Sequence, residues 1–246
     1  GRAVLEHARW ILERLDVARA ELAALGDGSA GSLRVGTFQS AGARLLPQVL
    51  AAFRRRWPDI TVTIHHEVRE GELPGLVRDG TLDVSFVEAS MVGEGLRSVE
   101  LMVDHFVAVV PPDHRLAVRP SISLRDLDGE DFVDGTIDDA CSAKGERALR
   151  DAGVVGRTVM RTHDNMARQR LVHAGLGCAL QPGLTVETGL PDGGVILPLE
   201  EDLHRVISLT WSAERTPSFA LERFVETATA ELAATSAAGS PVRRGG

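Results

Sequence analysis

Residues 33–64 read LRVGTFQSAGARLLPQVLAAFRRRWPDITVTI and contain a complete strand–helix–strand pattern. Residues 33–37 alternate between apolar and polar side chains, which is typical of a half-buried strand. Apolar residues at helical spacing follow, namely Leu46, Val49, Leu50, Phe53 and Trp57. Pro58 and Asp59 then turn the chain into a second alternating stretch, residues 60–64. Because two strands that are joined through a helix must run parallel, the stretch predicts a βαβ unit.

Strand and helix patterns continue to alternate after this unit. A helix near residues 73–77 stops at Asp79 and Gly80, and strand patterns cover residues 83–87 and 99–110. A second series comprises a short helix at 124–127, a strand at 132–133, a helix at 142–152, a strand at 158–161, a helix at 165–174, strands at 178–180 and 204–211, and a helix at 218–232. The order predicts an α/β protein of two lobes.

We predict a ligand cleft between these lobes, where α/β sheets present the carboxyl ends of their strands. The first lobe is predicted over residues 33–108 and, after a return of the chain, over residues 206–234. The second lobe is predicted over residues 109–205. The tail, residues 235–246, is rich in Ala, Ser, Gly and Arg and is predicted to be disordered.

The N-terminal segment, residues 1–26, has the pattern of a long coiled-coil helix. Its apolar residues recur in steps of four and three, at Val4, Ala8, Ile11, Leu15, Ala18, Leu22 and Leu25. This 3.5-residue period predicts a seam between two copies of the chain, with a helix packed on its own domain as the alternative. Residues 26–32 then form a flexible joint. Because chains rarely start with such a seam, we expect a further segment before Gly1.

Composition and motif content limit the classes of function that this segment can have. The net charge is -8 and the pI is about 5.5, so this segment is expected to bind DNA poorly by itself. Neither a signal peptide nor an apolar stretch long enough to cross a membrane is visible, and a cytoplasmic location without membrane contact is expected. The residues show no Gly-x-Ser-x-Gly elbow, phosphate loop or metal-ligand spacing. We therefore expect no enzyme, no cofactor and no metal.

Several motifs in order resemble one known family. They are GSLRVG at 31–36, Ser40, LLP at 45–47, WPDI at 57–60, LVRDGTLD at 76–83, VVPPDHRL at 109–116 and GLG at 175–177 leading to Gln181 and Pro182. Together they resemble the effector-binding domain of LysR-type transcriptional regulators, and residues 1–26 resemble the linker helix of that family. The resemblance covers nearly the whole chain except its tail.

The resemblance implies two Rossmann-like subdomains of the periplasmic-binding-protein type, preceded by a dimerising linker helix. It also implies a small-molecule effector of unknown identity, a homodimer or homotetramer, and allosteric control of transcription. DNA would be bound through an N-terminal winged helix-turn-helix domain, which this sequence lacks. A solute-binding protein that feeds a transporter is the first alternative, and an enzyme on the same fold is the second.

Candidate effector contacts in the first lobe surround the first strand–helix loop. Ser40 at the start of the helix could hold a ligand carboxylate together with free backbone N–H groups, or could simply cap the helix. The resemblance implies effector contact at this position. Thr37, Phe38 and Gln39 share the loop. Glu88, which follows the third strand, is a candidate polar contact or hinge residue.

Candidate contacts in the second lobe occupy equivalent loops. They are Asp134, Gly135, Thr136, His163, Asn165, Gln181 and Pro182. If Asp138 and Asp139 face the cleft, they favour a cationic or amino-bearing ligand; the alternative is that they cap the next helix. Thr162 or Asp164 is expected to cap the helix that follows His163.

The two cysteines are far apart in sequence. Cys141 near a helix N-terminus would have a stabilised thiolate, which keeps a redox role open. Cys178 lies in an apolar run and is expected to be inert core, although a pairing of the two cysteines is also open.

Overall fold

The computed structural model describes residues 31–67, 69–136, 139–189, 191 and 194–237. The predicted linker helix with its seven seam residues therefore lies outside the described residues, as does Asp138. The strands are β1 Gly31–Thr37, β2 Ile60–His66, β3 Val84–Glu88, β4 Leu96–Val110, β5 Asp131–Asp134, β6 Arg157–Arg161, β7 Ala179–Pro182, β8 Val195–Pro198 and β9 His204–Ser212. The α-helices are α1 Gln39–Arg44, α2 Leu46–Arg56, α3 Leu73–Asp79, α4 Ala140–Asp151, α5 Asn165–His173 and α6 Phe219–Ala237.

The first lobe is built on a mixed sheet in the order β2-β1-β3-β9-β4. β1 pairs in parallel with β2, from Gly31 opposite Ile60 to Thr37 opposite His66, which confirms the predicted βαβ unit. β9 lies antiparallel between β3 and β4. Helices α1, α2, α3 and α6 cover the sheet, and Phe53 of α2 packs against Phe224 of α6 in the core.

The second lobe has its own apolar core. The last residues of β4 pair with both β7 and β8, and β5 pairs in parallel with β6. Bridges through Cys178 join β5 to the start of β7. Gly177 makes this approach possible, because an added Cβ would lie 2.7 Å from the carbonyl oxygen of Asp131 and its φ is +140°.

β4 belongs to both lobes. Residues 96–105 pair with β9 in the first lobe, whereas residues 106–110 pair with β7 and β8 in the second. The chain returns near the same point, where the backbone N–H of Phe106 donates to the carbonyl oxygen of Leu203 at 2.8 Å. This crossing of β4 and the start of β9 is called the hinge below.

The elements agree with the predicted order, except that β8, Val195–Pro198, was not predicted and three details differ. The first helical stretch is two helices that meet at Leu45, because Pro47 lacks the N–H that would continue a single helix. The short helix that was predicted at residues 124–127 is a 3₁₀ turn. α6 runs to Ala237, three residues into the segment that was predicted to be a disordered tail. Within the described residues, no helix is both long and apolar enough to span a bilayer.

Candidate functional site

A cavity of about 300 Å³ lies between the two lobes. One wall comes from the loops after β1 and β2 in the first lobe. The opposite wall comes from the N-termini of α4 and α5 in the second lobe, and Pro182 and Arg205 close the cavity near the hinge. The cavity thus occupies the place where the strand order predicts a cleft.

Arg205 forms the floor of the cavity and is only 1% exposed. Its Nε donates to Asp104 Oδ2 at 2.9 Å, and its Nη2 donates to Ser40 Oγ at 2.8 Å. Its Nη1 lies 3.0 Å from Cys141 Sγ, and its guanidinium carbon is 5.2 Å from the centre of the Phe38 ring. Because β9 carries Arg205 in the middle of the hinge, this one side chain contacts both lobes.

Glu70 faces Arg205 from the first lobe. Its Oε1 is 3.9 Å from Arg205 Nη1, while its Oε2 is buried and has no hydrogen-bond partner in the described part of the chain. Burial raises the pKa of Glu70 to about 7, and the negative charges of Asp139, Glu88 and Asp104 act in the same direction, whereas Arg205 opposes them. Glu70 therefore changes its charge near neutral pH.

This raised pKa predicts how stability depends on pH. A neutral Glu70 contributes stability that is fully present below its ordinary pKa of 4.5 and is lost as the pH rises through about 7. In Glu70→Gln the group stays neutral, so the variant should gain melting temperature relative to wild type between about pH 5 and about pH 8. Thermal melts followed by circular dichroism across this range would measure the difference.

Glu72→Gln is the matched control, because Glu72 lies in the same 3₁₀ turn but is exposed and pairs with Arg69. Its difference from wild type should stay flat across the range. A Glu70→Gln difference that is equally flat would contradict the raised pKa.

The second-lobe wall is made of two capped helix N-termini. Asp139 accepts from the backbone N–H groups of Cys141 and Ser142 at the start of α4, and Asp164 caps α5 in the same way. Both aspartates also line the cavity, so the capping and cleft-facing interpretations of Asp139 are compatible. Thr136 Oγ1 lies 2.9 Å from His163 Nδ1 between the two caps.

Arg168 in α5 is a buried cation in this wall. Its Nη2 lies 3.4 Å from Asp139 Oδ2, and its Nε is buried with no hydrogen-bond partner among the described residues. A buried N–H donor without a partner is costly, so Arg168 is suited to donate a hydrogen bond to a ligand oxygen.

Polar contacts across the cavity hold the lobes together. Gln39 Oε1 lies 3.4 Å from the backbone N–H of Asn165, and Lys144 Nζ lies 3.5 Å from Glu88 Oε1. These two contacts are long, whereas Arg44 of α1 donates from Nη2 to the carbonyl oxygen of Val186 in the second lobe at 3.1 Å.

Half of the predicted contact residues line the cavity, namely Phe38, Gln39, Thr136, His163, Asn165 and Pro182. The other six lie near it with other partners. Ser40 is the second residue of α1 and not its cap, and its hydroxyl is engaged by Arg205. Thr37 is buried and donates to the carbonyl oxygen of Phe38.

Gly135 and the remaining three polar candidates are also buried, or bonded to other residues, outside the cavity lining. Asp134 is buried, and burial raises its pKa despite a 2.7 Å hydrogen bond from Thr158. Gly135 donates its N–H to Ser142 Oγ. Glu88 pairs with Lys144, and Gln181 is fully buried, with neither end of its amide hydrogen-bonded to any residue that the structure describes.

The lining also contains residues that the sequence analysis missed. One set is His66, the last residue of β2, with Glu67, Arg69, Glu70 and Gly71 after it, and the other additions are Met91, Ala140, Arg168, Thr185 and Arg205. Because β2 lies parallel to β1, its carboxyl end lies at the same edge of the sheet as the carboxyl end of β1. The predicted strand order was therefore sufficient to place the residues after β2 at the cleft. A single arginine inside β9 carries no comparable signal.

The cysteines differ from the expectation for Cys141. Burial raises the pKa of Cys141 to about 12, although the thiol lies at a helix N-terminus and beside Arg205. The expected thiolate stabilisation is therefore wrong, because desolvation exceeds the effect of the neighbouring positive charge. Cys178 is buried in the second-lobe core as predicted, and both cysteines are free.

Comparisons with known proteins cover both lobes. The family model described as LysR substrate binding domain matches residues 26–233. The uncharacterized HTH-type transcriptional regulator YnfL of Escherichia coli K12 is 28% identical over 232 residues, 91% of this chain and 76% of that protein. The C-terminal domain of a probable LysR family regulator from Rhodococcus sp. RHA1 is 26% identical with a TM-score of 0.72, over 81% of this chain and 99% of that one.

A third likeness is to the CcmR regulatory domain of Synechocystis PCC6803, whose structure was determined in complex with 2-PG. It has a TM-score of 0.72 at 20% identity, over 81% of this chain and 96% of that one. At this identity the likeness establishes a shared fold. The two-lobe α/β fold of the described residues is therefore that of known regulatory domains.

Proposed function

The chain belongs to the LysR substrate binding domain family, and we propose that it senses a small molecule held in the cavity between its lobes. The observation that carries this proposal is the cavity itself, whose walls come from both lobes and whose floor is the buried Arg205. Its volume of about 300 Å³ suits a small metabolite. Membership of this family favours regulation over the solute-binding alternative.

The walls indicate what such a molecule must offer. The three nitrogens of Arg205 already have partners inside the protein, whereas the buried Nε of Arg168 has none among the residues described. An effector therefore needs an oxygen that accepts from Arg168. Phe38, Met91 and Pro182 supply apolar surface, and Gln39, Thr136 and Asn165 supply hydrogen-bonding groups.

Ligand contact with both lobes supplies a mechanism. A molecule that touches Gln39 in the first lobe and Arg168 in the second binds best to one lobe arrangement, and so shifts the population toward it. We further propose that residues 1–26 pair two copies of the chain, and that an N-terminal DNA-binding segment responds to the lobe arrangement. Light scattering would measure the pairing.

The cavity can be blocked to test the proposal. Ala140 lines the cavity at the exposed start of α4, so Ala140→Trp places an indole ring inside it without disturbing the core. In a thermal-shift screen of small carboxylic acids, phosphorylated acids and amino acids, we expect at least one compound to raise the melting temperature of wild type. The same compound should leave Ala140→Trp unchanged.

Ala51→Trp is the matched control, because Ala51 is exposed on α2 and lies away from the cavity lining. It should respond to the compound as wild type does. A compound that stabilises Ala140→Trp as strongly as wild type binds elsewhere, and would count against the cavity as the effector site.

A further inference from the structure

A second group of chemically capable side chains lies on the outside of the hinge. His105 of β4 stands directly opposite His204 of β9, and their ring centres are 5.6 Å apart. Asp202 precedes β9 by two residues. Its Oδ1 lies 2.9 Å from His204 Nδ1 and 3.5 Å from His105 Nδ1. The three donor atoms thus converge on one point.

The strand register explains why this group faces outward. The neighbouring cross-strand pair is Asp104 with Arg205, whose side chains point inward, and Arg205 forms the cavity floor. Because successive side chains of a strand point to opposite faces, His105 and His204 point to the outer face. The side chains of His105, His204 and Asp202 are 56%, 37% and 75% exposed, so an ion from solvent can reach all three.

The turn that carries Asp202 is anchored on its other side. The carboxylate of Glu201 accepts from the backbone N–H of Leu124, at 2.9 Å and 3.1 Å for its two oxygens. Asp202 therefore projects from a fixed turn, toward two histidines that are fixed by strand pairing.

The spacing fits a metal ion. Zinc lies about 2.0–2.2 Å from imidazole nitrogen and carboxylate oxygen, so two such ligands on one ion are roughly 3–3.6 Å apart. The two nitrogen–oxygen distances in this group, 2.9 Å and 3.5 Å, are close to this range. All three donor atoms lie within 4.8 Å of one another. Because the side chains are exposed, they can move by the small distance that separates them from ideal zinc geometry.

The donor set favours a particular class of ion. Two imidazole nitrogens suit Zn²⁺, Ni²⁺, Cu²⁺ and Co²⁺, whereas Mg²⁺ and Ca²⁺ require oxygen ligands. With three protein ligands, the remaining coordination positions are left to water.

Another group of potential ligands, His114, Glu130 and Cys178, lacks this fit. His114 Nδ1 accepts from the backbone N–H of Leu116, so the neutral ring carries its proton on Nε2. Nε2 is the atom that faces Glu130 Oε2 at 3.2 Å and Cys178 Sγ at 3.9 Å. In this group the Cys178 thiol is only 1% exposed and Arg115 already pairs with Glu130, so an ion from solvent cannot reach all three ligands.

We propose that His105, His204 and Asp202 bind a late first-row divalent cation such as Zn²⁺ at the hinge. The ion ties the turn before β9 to β4 at the point where both strands leave the first lobe. It lies on the outer side of the same ribbon whose inner side carries Asp104 and Arg205. Occupation of the site therefore stiffens the hinge next to the cavity floor.

Zinc chloride titrated into the purified chain by calorimetry tests the site. Wild type should bind one zinc ion through it, and His204→Ala and Asp202→Asn should each weaken binding by at least about tenfold. His65→Ala is the matched control. His65 Nε2 also lies 3.5 Å from a carboxylate oxygen, that of Glu67, but belongs to neither three-ligand group among the described residues. This variant should bind zinc as wild type does.

Three outcomes would overturn the proposal. The first is zinc binding by His204→Ala with the affinity of wild type, in a variant whose circular dichroism confirms an intact fold. The second is a loss on Cys178→Ser that exceeds the loss on His204→Ala, which assigns the zinc to the other group. The third is magnesium chloride binding as tightly as zinc chloride, which excludes the assigned class of ion.

Discussion

Arg205→Ala should destabilise the folded chain by about 3–5 kcal/mol, because it leaves a buried carboxylate without its partner. Asp104 is buried beside the cavity floor, and its Oδ2 accepts from Arg205 Nε at 2.9 Å. The hydrogen bond from the backbone N–H of Leu184 to Asp104 Oδ1 would remain, but it does not compensate the charge. Urea unfolding followed by circular dichroism would measure the change in the free energy of unfolding.

Two variants identify the cause of this loss. The double variant Asp104→Asn with Arg205→Met removes both charges and should lose less stability than Arg205→Ala alone. Arg157→Ala breaks an exposed pair, in which Arg157 bonds Asp131 through two nitrogens at 3.0 Å and 2.8 Å. It should change stability little, because water screens the pair. Equal losses for Arg205→Ala and Arg157→Ala would contradict the argument from burial.

Phe224→Ala should also destabilise the chain by about 3–5 kcal/mol, through the cavity that it leaves in the first-lobe core. The ring of Phe224 is 0% exposed and packs edge-to-face on Phe53, with ring centres 5.4 Å apart. This contact holds α6, the last helix, onto α2. The same urea titration measures the effect.

Phe219→Ala on the same helix is the matched control. Phe219 makes an edge-to-face contact with Trp57 at 5.0 Å, but its side chain is 43% exposed. Its loss should be about 1 kcal/mol, the range expected for an aromatic pair at the surface. Losses of similar size at the two positions would show that burial does not set the contribution of α6.

Local pattern was sufficient to predict most of the fold. The alternation of residues 33–37 and 60–64 and the helical spacing from Leu46 to Trp57 define β1, β2 and α2, because these patterns reflect burial on one face. The stop at Gly80 is also a local feature, since its φ of +87° favours glycine. The break between α1 and α2 at Leu45 was missed, because it depends on a proline that is tolerated at the start of a helix.

The candidate site was only partly predictable. Loops after β1 and before α4 and α5 could be located from strand and helix ends alone, which led to Phe38, Thr136 and Asn165. Arg205 could not, because its partners Asp104, Ser40 and Cys141 lie 101, 165 and 64 residues away in sequence. Contacts at such separations arise from the pairing of β4 with β9, which no local pattern specifies.

The place of β9 in the first-lobe sheet has a consequence for how the chain is made. β9 lies between β3 and β4, yet it follows the entire second lobe in sequence. During synthesis from the N-terminus, the edges of β3 and β4 that pair with β9 therefore stay unpaired until residue 212 has left the ribosome. The second lobe, whose ends meet at Phe106 and Leu203, is complete before that point. The nascent chain thus finishes its inserted lobe first, and its first lobe last.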